Sequence, residues 1–314
     1  MVGLLERSTL PAPESLPVLT YHRVAPRSAD HLDPGLISAT PEELDDHIRH
    51  LATRFTFLTL RELLAIRSGT TRLRRRSILL TFDDAYADFH EHAWPVLERH
   101  GVPATLFVPT GYPDNPTSVF PWERLYHSIM RSERSELVDA LPPRSAGADR
   151  LMKYRVVSRM VAELPWETSL AAVDQLCSAL EPPPQENPVL GWQALIALAG
   201  SGLELAAHTH WHVRLDRAPV SVVDREIRRS LEELKRRIGA VLPVLAYPAG
   251  HHDALVVERA RAAGIEVAFT TGRGLNDVRR CDWMRMRRIN VGPRSSLALI
   301  RAQLIPGVAR LAGG

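Results

Sequence analysis

Strand-length apolar runs alternate along this chain with amphipathic segments of helical period, and that alternation restricts the fold more than any other feature. The runs Leu16 to Val24, Phe55 to Leu60, Ser77 to Asp84, Ala104 to Thr110, Leu203 to His210, Val244 to Gly250, Val267 to Gly272 and Met286 to Gly292 are rich in Val, Ile, Leu, Phe or Thr. Between them, Pro41 to Arg54, Ala87 to His100, Val220 to Ile238 and Asp253 to Ala263 are amphipathic, and Gly101, Gly239 and Gly264 follow as helix stops. Strands separated by helices return parallel through right-handed crossovers. Seven or eight such units therefore predict a βα barrel or a doubly wound sheet. Residues 112–188 break the rhythm: they hold no convincing strand and read as a helical insertion within a single 1–314 domain. Helices are expected there over Trp122 to Arg131, Asp149 to Ala162 and Glu167 to Leu180, with breaks at Pro142-Pro143, Ser145 to Gly147 and Pro182-Pro183-Pro184. Such an insertion either shapes substrate access or is a packed decoration.

Composition removes several function classes. With 45% hydrophobic and 24% charged residues over 314 positions, the chain is globular in balance, which excludes collagen-like, coiled-coil and wholly disordered architectures. Cys177 and Cys281 are the only cysteines, so neither a disulfide framework nor a cysteine zinc site is available, and any metal must rest on His and carboxylates. The net charge is +3. The basic runs Arg72, Arg74, Arg75, Arg76 and Arg285, Arg287, Arg288 lack interleaved aromatics and read as solvated faces rather than a nucleic-acid surface. Glu6 and Arg7 fall where a leader peptide needs its apolar core, and no run approaches a membrane span, so the chain is expected to be soluble and cytoplasmic, with no transmembrane segment.

Three segments carry chemistry. Ser77-Ile-Leu-Leu-Thr-Phe-Asp83-Asp84 ends an apolar run in two carboxylates at a strand's C-terminal tip, where parallel α/β folds place their sites. Neighbouring residues of an extended segment point opposite ways, so one carboxylate can bind a metal while the other acts as base; Asp84 as a helix cap is the plainer use. His208-Thr209-His210-Trp211-His212 follows a second apolar run. Three buried imidazoles would each need a partner, and a metal site supplies one. His208 pairs with His210 if the segment stays extended, or with His212 if it turns. Two imidazoles and one carboxylate leave positions open on a divalent ion for water and substrate. In Leu245-Ala246-Tyr247-Pro248-Ala249-Gly250, Pro248 and Gly250 favour a tight turn that would expose the Ala249 amide as an oxyanion donor.

Thr-Phe-Asp-Asp, then His-Thr-x-x-His, then Tyr-Pro-x-Gly, in this order on a βα chain, resembles the polysaccharide deacetylase family with the NodB-homology domain, carbohydrate esterase family 4. The likeness runs from Leu19 to about Val291 and includes Tyr21-His22-Arg23-Val24, Gly101-Val-Pro-Ala-Thr-Leu-Phe-Val-Pro-Thr, Trp122-Glu123-Arg124-Leu125 and Gly202-Leu-Glu-Leu. The resemblance implies an α/β fold, a distorted (β/α)7 barrel, and hydrolysis of an N-acetyl group on an amino sugar of a polysaccharide, oligosaccharide or lipid-linked precursor. It implies one divalent metal ion, Zn²⁺ by preference, held by Asp84, His208 and His212. Asp83 matches the catalytic base, the Ala249 amide the oxyanion donor, and His22, His210, Tyr247 and Arg288 fall to the substrate side. The sequence departs from the family pattern in three places. Ala85 replaces the Gly that usually follows the aspartates, and Ala246 stands where an Arg often orients the base, a charge that Arg288 is placed to supply. No Leu-x-His occurs near the C-terminus, which leaves His22 as a candidate acid. The competing readings are a deformylase or other amidohydrolase using His208 and His210, and a carbohydrate-binding homologue without turnover.

Overall fold

The computed structural model describes residues 14–29, 31–115, 118–144, 147–183 and 188–305. Met1 to Pro13, which bear on the leader-peptide expectation, and Ser145, Ala146 and Pro184 of the expected breaks lie outside the described residues. The chain divides into two compact units: Met1–Pro113, Val189–Asp216 and Val220–Gly314 form one, and Asp114–Pro188 with Arg217–Pro219 the other.

The first unit is built on strands β1 (Val18–Tyr21), β2 (Thr56–Leu58), β3 (Ser77–Phe82), β4 (Thr105–Val108), β5 (Glu204–Ala207), β6 (Val244–Ala246), β7 (Val267–Arg273) and β8 (Met286–Asn290). Neighbours run parallel in the order β1-β8-β7-β6-β5-β4-β3, and β1 pairs back onto β3 with Val18 opposite Leu79 and Tyr21 opposite Phe82. Seven strands thus close a ring: of the barrel and the doubly wound sheet that the strand–helix alternation allowed, the chain forms the (β/α)7 barrel that the family resemblance implies. The eighth run, β2, is a three-residue strand outside the ring, paired with the first half of β3 from Thr56 opposite Ser77 to Leu58 opposite Leu79. All six residues of β3 are buried, as a strand covered on both faces requires.

Alternation along the strands stacks two layers on one face. Val18, Leu79, Phe107, Ala206, Phe269 and Met286 belong to one apolar cluster, and each large side chain buried there contributes roughly 1.5–3 kcal/mol. Two residues further along the same faces come Thr20, Thr81, His208 and Arg288, and two beyond Thr81 comes Asp83. The apolar layer supports the polar one.

The helices of this unit are α1 (Pro41–Ala52), α2 (Leu60–Arg67), α3 (Trp94–His100), α8 (Trp192–Gly200), α9 (Val220–Ile238), α10 (Ala254–Ala262) and α11 (Leu297–Gln303). Thr40 and Glu43 form a reciprocal capping box at the start of α1, Thr59 and Glu62 another at α2. The segment expected as one helix from Ala87 begins instead with a π turn over Phe89–Ala93 before α3. Pro95 accounts for this: it lacks an N–H and its ring crowds the preceding turn, so the helix widens there.

The second unit contains α4 (Pro121–Arg131), α5 (Ser135–Ala140), α6 (Arg150–Ala162) and α7 (Trp166–Leu180), with no strand among the described residues. Leu125, Ile129, Val138, Val157, Val173 and Leu180 share its core. Two basic side chains, the half-buried Arg150 and the buried Lys153, satisfy helix-end carbonyls: Arg150 donates to Ile129, Met130 and Ser132 at 2.9–3.1 Å, and Lys153 to Asp139 and Leu141 at 3.0 Å. Among the described residues, no helix is long and apolar enough to cross a membrane.

Candidate metal centre

The C-terminal tips of β1, β3, β5 and β8 bring the sequence-predicted acidic and imidazole groups together. Asp83 lies one residue past β3, and its backbone N–H donates to the Tyr21 carbonyl at 2.9 Å, which sets it beside the end of β1. Its carboxylate is gripped at both oxygens by Arg288 from β8, Nη1 to Oδ1 at 2.9 Å and Nη2 to Oδ2 at 2.8 Å. The third arm of the guanidinium, Nε, donates to the Thr270 carbonyl at 2.9 Å. Arg288 is 0% and Asp83 3% exposed, so this is a desolvated two-pronged ion pair.

Arg288 corrects two expectations. The run Arg285, Arg287, Arg288 does not lie wholly in solvent: the strand alternates, with Arg285 and Arg287 exposed and Met286 and Arg288 buried. Nor is Arg288 open to substrate, because Asp83 and Thr270 engage all three nitrogens of its guanidinium. It supplies from the last strand the cation that Ala246 cannot.

Asp84 follows the strand with φ 74°. Its Oδ1 stands 3.4 Å from Nε2 of His208 and 3.3 Å from Nε2 of His212. Among the described residues this is the one group of three or more potential ligands whose donor atoms converge, all within 4.8 Å of one another. Tetrahedral Zn²⁺ with bonds of about 2.0–2.2 Å separates its ligand atoms by roughly 3.4 Å, the spacing of the two pairs that Asp84 makes. A second observation agrees: Asp84 Oδ1 is buried and makes no hydrogen bond, an expensive state for a carboxylate unless a cation completes it. The Nδ1 atom of His208 lies 2.8 Å from the Ala246 carbonyl, which accepts its proton and leaves Nε2 with the lone pair that faces Asp84. The residues fit a divalent ion.

The charges of the cluster compensate one another. Burial opposes ionisation of Asp83, but Arg288 beside it, with His208 and His22 adding to the field, holds the carboxyl below its usual range. Burial acts the same way on Asp84, and His208 and His212 nevertheless hold it well below the usual carboxylate range. For His208, burial favours the neutral ring but Asp84 and Asp83 outweigh it, so its pKa is raised. At His212 burial prevails and the pKa is lowered, which favours the neutral form a metal ligand needs.

Backbone strain is concentrated here. Asp84, Ala85, Thr209, His212 and Ala249 all have φ between 51° and 74°, a region that costs a non-glycine residue roughly 1–2 kcal/mol. The left-handed Thr209 ends the alternation that would have put His208 and His210 on one side. His210 instead sits with Nδ1 2.9 Å from the Thr110 hydroxyl, outside the group formed by Asp84, His208 and His212. Of the remaining expected site residues, Ala249 is exposed at the turn after β6. Tyr247 is 0% exposed and stacks on His252 with ring centroids 5.0 Å apart. His22 is half-buried at the tip of β1, with its backbone N–H on the Ser38 hydroxyl at 2.9 Å.

Two further supports of the site are absent from the sequence reading. Asp88 accepts from Arg23 Nε at 2.7 Å and from the Val24 N–H at 3.1 Å, tying the loop after Asp84 to the segment that carries His22. Glu226 of α9 accepts from the N–H groups of His210 and Trp211 at 3.1 and 2.6 Å. Its signal was available: a carboxylate on the buried stripe Val223, Glu226, Ile227, Ser230 and Leu234 of an otherwise amphipathic helix.

A family model described as polysaccharide deacetylase matches residues 70–268. YxkH of Bacillus subtilis (strain 168) is 28% identical over 97 residues, 31% of this chain and 32% of that protein. A poly-β-1,6-N-acetyl-D-glucosamine N-deacetylase of Staphylococcus aureus is 30% identical over 106 residues, 30% of this chain and 36% of that one. The chain therefore spans about a third of the length of the curated relatives it matches. Solved structures share the fold across nearly the whole chain. The Streptococcus pyogenes deacetylase PplD in complex with acetate superposes with a TM-score of 0.64 at 18% identity, covering 94% of this chain and 100% of that one. IcaB from Ammonifex degensii gives a TM-score of 0.61 at 19% identity, covering 92% and 97%.

Proposed function

The chain belongs to the polysaccharide deacetylase family, and we propose that it is a metal-dependent hydrolase that removes the N-acetyl group from an amino sugar of a polysaccharide, oligosaccharide or lipid-linked glycan. One observation carries this reading: the buried Asp84 Oδ1, without a hydrogen bond, lies within 3.4 Å of two imidazole nitrogens. The name of the Staphylococcus aureus relative supports an N-acetylglucosamine polymer as the first substrate to try. Asp84, His208 and His212 would hold the ion, and a divalent cation there supplies Lewis acidity to a carbonyl and to a water.

The other steps fall to the chain's own groups. Asp83, kept ionised at neutral pH by Arg288, takes the proton of the water whose oxygen bonds to the acetyl carbon. The Ala249 amide, on its φ 51° turn, is assigned to the oxygen that becomes negative. As the C–N bond breaks, the nitrogen takes a proton from His22, which stands beside Asp83 at the β1 tip. Acetate and a free amine leave. The alternative in which His208 pairs with His210 loses support from the Thr110 contact of His210, whereas His208 and His212 both face Asp84.

The test is release of acetate, with one free amine per acetate, from β-1,6-linked N-acetylglucosamine oligomers by zinc-loaded protein, beside Asp83→Asn. The proposal expects release by the wild type and a loss of at least about 100-fold in the variant. Folded, zinc-loaded protein that releases formate from N-formyl sugars and no acetate from any N-acetylated glycan would move it to the deformylase reading.

A further inference from the structure

Two successive backbone N–H groups in the middle of the His208 to His212 segment converge on a single carboxylate oxygen, Oε2 of Glu226. Past His208, whose N–H still donates to the Val108 carbonyl at 3.1 Å, this segment has left its strand and entered no helix, so its amides lack the partners that regular structure provides. It is also bent at both sides of the bonded pair: Thr209 has φ 62° and His212 φ 53°. Neither residue adopts that conformation without support. Glu226 itself is 2% exposed, on a fixed helical scaffold, and faces the loop from the buried stripe of α9. A buried carboxylate accepting two N–H groups at 3.1 and 2.6 Å is a strong, directional anchor.

We propose that Glu226 is a positioning residue for the Asp84, His208, His212 group: by clamping the amides of His210 and Trp211 it fixes the bend that returns His212 to Asp84. His208 is placed by its strand and by the Ala246 carbonyl, and Asp84 by the end of β3. His212 has no strand behind it. Its ring reaches the group only if the four residues after His208 follow one path, and the two bonds to Glu226 lie midway along that path. The inference rests on the reading of these three residues as metal ligands.

The experiment is a zinc competition titration against a chelating indicator, on metal-stripped full-length protein, for wild type, Glu226→Leu, Glu226→Gln and the exposed control Glu232→Gln on the same helix. Groups that orient metal ligands typically change affinity by 10–100-fold when removed, and Glu226→Leu is expected to weaken zinc binding in that range. Glu226→Gln keeps an acceptor oxygen but not its charge and is expected to fall between, at least threefold weaker than wild type, while Glu232→Gln is unchanged. A folded Glu226→Leu protein with wild-type zinc affinity overturns the inference. Where the leucine variant does not fold, Glu226→Gln decides, and wild-type affinity in it overturns the inference equally. His208→Ala separates the two levels of the argument: zinc binding by wild type that is lost in His208→Ala upholds the metal reading whatever Glu226 does. A wild type that binds no zinc removes that reading and this inference with it.

Discussion

Replacing Arg288 with Met tests the internal logic of the site. The guanidinium is fully buried and donates to both oxygens of Asp83 and to the Thr270 carbonyl. Methionine fills similar volume but leaves a 3%-exposed carboxylate without the guanidinium that bonds both its oxygens. Two unit charges about 4 Å apart interact by about 4 kcal/mol at an effective dielectric of about 20, and breaking one partner of a buried pair typically costs about 3–5 kcal/mol. For a chain of this size that corresponds to a fall in Tm of about 5–8 °C. The sign of the pH dependence follows. With Arg288 present the Asp83 pKa is depressed, so the pair contributes stability above the unfolded value near about 4 that is lost as pH falls through the lower folded value. Without Arg288, burial, the largest influence on this carboxyl, is opposed only by the weaker fields of His208 and His22, and the pKa rises from its wild-type position. The variant then gains stability relative to wild type as pH falls, and the acid limb of acetate release moves to higher pH. Thermal melts at pH 5 and 8, with Asp83→Asn and the double variant completing a cycle, measure both effects. A loss under 1 kcal/mol, or a deficit that grows on acidification, refutes the reasoning.

Three smaller tests address the scaffold. Ala85→Gly relieves a φ of 54° at a buried residue, and net of the greater freedom of glycine in the unfolded chain it should stabilise by about 0.5–1 kcal/mol, read by denaturant titration. Gly250→Ala should do the reverse by more than about 1 kcal/mol, because its φ is 73° and a Cβ there would meet Thr271 Oγ1 and the Thr271 nitrogen; unchanged stability would show that the turn relaxes freely. Asp45, with its carboxyl held down to about 2 by His100 and Arg99, contributes stability that is present above about pH 4 and lost as pH falls toward 2. Asp45→Asn should flatten that part of the stability profile, by no more than about 1 kcal/mol at this partly exposed site.

The barrel was legible because strands buried on both faces read as continuous apolar runs, as Ser77 to Phe82 does, and because carboxylates and imidazoles at the ends of such runs are costly unless used. Helices with little polar contrast were harder to find. Trp192–Gly200, nearly all apolar, shows almost no periodic contrast, yet Trp192, Leu195 and Leu198 form its buried face while Ile196 is exposed. The pairing of His208 was open in the sequence since it depends on the backbone sign at Thr209, which no propensity fixes. Arg288 was legible as the charge that answers the missing Arg at Ala246, but its burial was not, because it sits in a basic run whose members a strand sends to opposite sides. Asp88 acts across 64 and 65 residues on Val24 and Arg23 and leaves no trace in local pattern, whereas Glu226 shows in the sequence only as a carboxylate on the apolar stripe of its helix, with its loop partners unnamed.

Metal stoichiometry of purified protein, read by mass spectrometry on wild type beside Asp84→Ala, His208→Ala, His210→Ala and His212→Ala, decides whether these three side chains, Asp84, His208 and His212, hold an ion. The geometry predicts about one divalent ion per chain, lost on changing Asp84, His208 or His212 and retained with His210→Ala. Loss of the ion in His210→Ala with retention in His212→Ala, or a wild type that holds no ion after incubation with zinc, would contradict it.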